Sequence, residues 1–136
     1  MGEKLGTSEW LTVEQSHIDL FAETTGDHQW INVDPARAAE GQFGTTIVHG
    51  FLTLSLLPVL AASTYEVGKK RMGINYGPTK IRLTAPVPAG SRVRATAELV
   101  AAEAPPCTER HGAAWPGVSP IQISQRSTAA GTRRTA

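Results

Sequence analysis

Residues 25–63, TGDHQWINVDPARAAEGQFGTTIVHGFLTLSLLPVLAAS, decide how this chain is read. The stretch opens on polar groups, Asp27, His28, Gln29 and Asn32, in a segment bracketed by Gly26 and Pro35 and so expected to be irregular. It closes in the longest apolar run of the sequence, introduced by His49 and Gly50. Phe51, Leu52, Leu54, Leu56, Leu57, Val59 and Leu60 make that run apolar on nearly every side, which predicts a helix enclosed by other structure. Pro58 removes one backbone hydrogen bond and predicts a kink or a local break. A helix start presents unpaired N–H groups and the positive end of a dipole. A carboxylate-bearing loop placed against it can therefore build a site.

Outward from this stretch the signals are local. Thr12 followed by Gln15 resembles a capping box, and Ile18, Leu20, Phe21 and Ala22 have helical spacing, predicting a helix over residues 13–24 that Gly26 stops. Asp34 and Pro35 read as N-cap and first residue of a short helix through residues 36–39, after which Gly41 and Gly44 release the chain. Trp10, Leu11 and Val13 form a short apolar patch that suggests a first strand or an entry segment. Residues 72–87 alternate as a strand broken at Gly77-Pro78, residues 86–90 turn, and Val93, Ala95, Ala97 and Leu99 alternate with polar partners. These two segments predict a hairpin. Residues 104–136 differ: proline pairs and a Ser/Thr/Arg/Ala-rich end bury little and favour poor order, with strand character only at 118–124, where Pro120 interrupts it. The expected division is a domain over 1–103 and an atypical tail over 104–136.

A chain of 136 residues suits one domain with one core. Its net charge of +1 gives no electrostatic reason to expect nucleic acid. Cys107 stands alone, so no intrachain disulfide forms and a thiolate metal cluster is not expected; a reducing cytoplasm is the default compartment. The N-terminus lacks the apolar core of a signal peptide, and residues 52–62 are too short to span a bilayer. The expectation is a soluble cytoplasmic protein with no membrane or nucleic-acid partner.

At TGDHQWINVDPARAA followed by FGTTIVHGFLTLSLLP, the chain resembles the MaoC-like hydratases, in particular the branch named after nodulation protein N. The resemblance covers residues 8–103. It implies an α+β hot-dog fold, a curled antiparallel sheet around a long apolar central helix, and a homodimer with a continuous sheet. It also implies an (R)-specific hydratase or dehydratase acting on an enoyl thioester carried by coenzyme A or an acyl carrier protein. No cofactor is implied; coenzyme A enters only as part of the substrate. The family's catalytic aspartate matches Asp27, and the glycine whose N–H holds the thioester oxygen matches Gly50. The catalytic histidine position is occupied by Asn32, so half of the acid–base pair is absent. The two further core strands that the family carries after residue 103 have no matching pattern, so the sheet is expected to be incomplete.

Hydration of a conjugated enoyl thioester needs a base for water, a donor on the carbonyl and a proton at the alpha carbon. Asp27 supplies the first; the Gly50 N–H supplies the second, a kind of donor worth about 3 kcal/mol in oxyanion sites. Asn32 orients water but exchanges no proton near neutral pH, and loss of a general acid–base group costs about 10²–10⁴-fold. His28, next to Asp27, is a candidate to take over the missing role, but neighbouring loop side chains diverge. Each nomination has a structural competitor. Asp27 can cap a turn, Gly50 can serve close packing, and Asn32 can be a structural amide. His49, Trp30, Phe43 and Ser55 are nominated to face substrate. Against this, His49 can satisfy a carbonyl, Trp30 and Phe43 can be core or dimer contacts, and Ser55 can bond an upstream carbonyl. Lys69, Lys70 and Arg71 read as a solvated turn before a grip on coenzyme A phosphate. Two other functions stay open: a non-catalytic hot-dog module that binds acyl thioesters or pairs with an intact subunit, and a thioesterase.

Overall fold

The structure is a computed structural model that describes residues 3–66, 78, 80–101 and 119–126. Its centre is the strand β3 (Ser91–Ala101), paired along both edges. On one edge lie two short strands in line, β1 (Glu3–Thr7) against Thr96 to Leu99 and β2 (Leu11–Val13) against Ser91 to Val93. Ser8 splices them: its N–H donates to the Ala95 carbonyl at 2.8 Å, and its Oγ accepts the Ala95 N–H at 2.9 Å. β4 (Ser119–Arg126) pairs antiparallel on the other edge, Arg92 opposite Arg126 and Ala97 opposite Ile121.

The alternation expected in β3 is present. Val93, Ala95 and Ala97 are buried, while Arg92 and Glu98 are exposed. Alanine on the inner face lets a helix approach closely. That helix is the second half of the predicted apolar rod, which consists of α4 (Gly50–Ser55) and α5 (Leu57–Ala62), with α5 laid against β3. The break falls at Leu56, and Pro58 sits in the first turn of α5, where its missing N–H costs least. Val13, Ile18, Val48, Leu52, Leu60, Val87, Val93 and Ala95 form the core. Each buried Val, Leu or Ile is worth roughly 1.5–3 kcal/mol relative to exposure. The rod is not covered all round in a single chain: Phe51 is 71% and Val59 53% exposed.

α1 (Gln15–Thr25) starts later than the sequence suggests. Thr12 lies in β2, because pairing with Arg92 holds it extended. The N-cap is Glu14, whose N–H donates to His17 Nδ1 at 3.1 Å. Gly26 ends the helix at φ 76°, the left-handed cap that glycine adopts at no steric cost. Residues 27–34 are not wholly irregular, since α2 (Trp30–Val33) is one helical turn within them. α3 (Pro35–Ala39) follows with Asp34 as N-cap, its Oδ1 accepting the Arg37 N–H at 3.0 Å.

The predicted hairpin does not form among the described residues. Residues 80–86 belong to no strand, and Ile81 (43%) and Leu83 (60%) are exposed. The reason is occupancy: β1 with β2 takes one edge of β3 and β4 takes the other. Of the tail, Ser119–Arg126 is β4; Lys69, Lys70, Arg71, Gly77 and the remaining predicted features of 104–136 lie outside the described residues. No helix among the described residues is long and apolar enough to cross a membrane.

Candidate active site

α1, ended by Gly26, delivers Asp27 to the first turn of α4. Residues 46–49 run beneath the 27–32 segment and are fastened to it. The Ile47 N–H donates to the Ile31 carbonyl at 3.0 Å. The Asn32 Nδ2 donates to the Ile47 carbonyl at 2.7 Å. His49 Nε2 lies 2.9 Å from the Asp27 carbonyl and 3.9 Å from its carboxylate. Because a carbonyl only accepts, Nε2 carries the hydrogen. From the other side, the Val48 N–H donates to Val87 and the Ala89 N–H to Thr46, at 2.7 and 2.9 Å.

Gln15 extends this fastening to the start of α1. Its Nε2 donates to the Asn32 carbonyl and to Asp19 Oδ1, both at 2.8 Å, and its Oε1 accepts the Thr46 hydroxyl at 2.5 Å. Sequence reasoning assigned Gln15 to a cap and missed this role. Only its polarity near a helix start was visible, while its partners lie 17 and 31 residues away. Phe21 was also missed as a site neighbour: its ring centroid is 5.0 Å from that of His49.

The nominated residues separate into groups. Asp27 and His49 come together, with Gly50 next in the chain; His49 is buried and the Asp27 side chain is 46% exposed. Asn32 is buried, and its Nδ2 is engaged by Ile47. A Cβ on Gly50 would meet Leu83 Cδ1 at 2.2 Å, so a packing reason for glycine exists beside the chemical one. Trp30 and Phe43 line a separate cavity of about 270 Å³ with Ile31 and Ala38, which includes none of Asp27, His49 or Gly50; Arg37 caps the Trp30 ring at 4.5 Å. Ser55 is exposed and its Oγ donates to the Phe51 carbonyl at 2.7 Å. His28 stands beside Glu23, Nε2 to Oε1 3.7 Å. A second, apolar groove of about 420 Å³ runs between β2, α1 and α4, lined by Leu20, Phe21, Leu52 and Leu56 among others. No group of three or more His, Cys, Asp or Glu among the described residues is placed to hold a metal ion.

Residues 1–114 match the family model described as MaoC like domain. The chain is 60% identical over 102 residues to 3-hydroxyacyl-thioester dehydratase Z of Mycobacterium tuberculosis, covering 75% of this chain and 68% of that protein. It is 54% identical over 96 residues to nodulation protein N of Rhizobium leguminosarum bv. viciae, covering 69% and 60%. Among solved structures, the unliganded R-hydratase PhaJ1 from Pseudomonas aeruginosa superposes with a TM-score of 0.62 at 26% identity, over 76% of this chain and 63% of that one. The antiparallel sheet with its apolar rod is thus the α+β hot-dog fold of these hydratases. With an aspartate loop fastened to the segment that leads into the rod, the chain belongs to the MaoC-like dehydratase family.

Proposed function

We propose that the chain catalyses the (R)-specific, reversible addition of water across a trans-2-enoyl thioester of the coenzyme A type. The observation that supports this reading is the 2.9 Å hydrogen bond from His49 to the Asp27 main chain, which ties the aspartate to the residue that precedes Gly50. Asp27 removes a proton from water as the hydroxyl bonds to C3. The electron pair moves onto the thioester oxygen, where the Gly50 N–H stabilises the developing charge. The proton then reaches C2, so one water is consumed and both of its parts are accounted for. This chemistry asks for no cofactor beyond the coenzyme A carried by the substrate. The groove past Phe21 and Leu52 suits the acyl chain. The exposed Phe51 and Val59 favour a homodimer that covers the rod, and a cytoplasmic location fits such a substrate.

Asn32 makes this a slow enzyme, because its amide exchanges no proton. A second reading is supported by the same residue: Asn32 is 4% exposed and donates to Ile47, a purely structural engagement. On that reading the chain binds acyl thioesters, or partners an intact subunit, without turnover. The deciding experiment is hydration of crotonyl-coenzyme A by the purified full chain, followed as loss of the conjugated thioester absorbance. The expected product is the (R)-3-hydroxy thioester, and Asp27→Asn is expected to abolish its formation. Binding without hydration, or hydration that Asp27→Asn leaves intact, rejects the proposal.

A further inference from the structure

His49 is buried and titratable, and the hydration chemistry above does not consume it. Its Nε2–H points at the main-chain carbonyl of Asp27 (2.9 Å) rather than at the carboxylate (3.9 Å). The distinction matters chemically. A histidine that gripped the carboxylate would occupy the lone pairs a base must offer to water. One that grips the backbone fixes the residue and leaves the carboxylate available. The ring itself has little freedom, being 5% exposed and packed against Phe21. Its Nδ1 is buried with no hydrogen-bond partner, so the donor at Nε2 makes the ring's sole hydrogen bond among the described residues.

We infer that His49 is a positioning residue: a one-point latch that holds the Asp27 main chain so that the carboxylate keeps its place at the start of α4. Residues 27–32 have two other attachments to segment 46–49, but both are at Ile31 and Asn32. Among the described residues, the other hydrogen bond of Asp27 is a long 3.4 Å contact from its N–H to Thr25 Oγ1. Without the His49 bond, the Asp27 end of the segment is free to swing while the Asn32 end stays fixed. The latch therefore affects turnover more than substrate affinity, because misplacing a base by about 1 Å can cost about 10²-fold without changing what binds.

The inference rests on the hydratase reading, and its test separates the two. His49→Phe keeps a flat ring against Phe21 and removes the donor; His49→Gln restores an N–H donor on a flexible stem. For His49→Phe, kcat for crotonyl-coenzyme A is expected to fall about 10²-fold with KM within about threefold. His49→Gln is expected to recover at least a tenth of the wild-type kcat. Two measurements need no substrate. Amide hydrogen exchange over residues 27–30 should rise at least tenfold in His49→Phe and much less in His49→Gln. Imidazole nitrogen correlation spectra of the wild type should show His49 protonated at Nε2 and bare at Nδ1. A wild type that fails to hydrate crotonyl-coenzyme A defeats the function alone, and the latch is then judged on exchange and tautomer. Unchanged exchange in a folded His49→Phe, equal kcat losses in the two variants, or an Nδ1–H tautomer in the wild type overturns it.

Discussion

Two segments cover the start of the apolar rod, and they are held by different means. Residues 27–32 are tied to segment 46–49 by three hydrogen bonds and to α1 through Gln15. Residues 80–86 form no strand and reach Gly50 through the side chain of Leu83, which is itself 60% exposed. Hydrogen bonds are directional and fix a group in orientation as well as distance. A single exposed apolar contact fixes neither. The first segment is therefore suited to carry a base, and the second is suited only to cover.

The sharpest way to break this contrast is to remove the donor at Gly50 without altering the fold. Proline is tolerated at a first helical position, and His49 at φ −54° and ψ 134° already has the extended backbone that a following proline requires. Leu83 would obstruct the new ring, so the substitution belongs in a Leu83→Ala background. There, Gly50→Pro is expected to lower kcat by about 10²–10³-fold. Gly50→Ala in the same background keeps the N–H and is expected to stay within threefold of Leu83→Ala alone. Equal losses would show that Gly50 serves packing.

Asn32→His comes next. The Nδ1 of histidine sits where the Nδ2 of asparagine does, so the 2.7 Å bond to the Ile47 carbonyl can persist. Holding a hydrogen at Nδ1 presents Nε2 as a proton acceptor toward the site. Hydration is expected to rise about tenfold or more, as befits restoring a general acid–base group. A flat response would favour the non-catalytic reading.

The smallest effect concerns stability. Asn32→Ala leaves the part-buried Ile47 carbonyl without its Asn32 donor and is expected to cost about 1–3 kcal/mol in denaturant unfolding. Ile81→Ser in the other segment is expected to change stability by less than about 0.5 kcal/mol. Comparable losses would mean that both segments are equally fastened.

What the sequence disclosed and what it hid divide along the same line. The left-handed stop at Gly26, the Asp34-Pro35 helix start, the break near Pro58 and the alternation of β3 are all set by neighbours in the chain, and all are present. The family resemblance nominated Asp27 and Gly50, one from each block. β1 was not legible because EKLGT has no alternation of its own; its register comes from pairing with Thr96 to Leu99, far along the chain. Residues 80–86 carry a strand pattern, but both edges of β3, the strand they were expected to pair with, are taken. Pattern reports what a segment can do, while edge availability decides what it does. Gln15 and His49 act through partners 17 to 31 residues distant, and no spacing rule ties them together.

The Ser8 splice has a consequence for the whole N-terminal arm. One hydroxyl stands in for a main-chain acceptor, so two pieces too short to hold register alone behave as a single border of the sheet. Slippage in the first piece is thereby transmitted to the second, and from there to the residues that launch the helix bearing Gln15. The positioning of an aspartate some twenty residues onward begins with a serine that never approaches it.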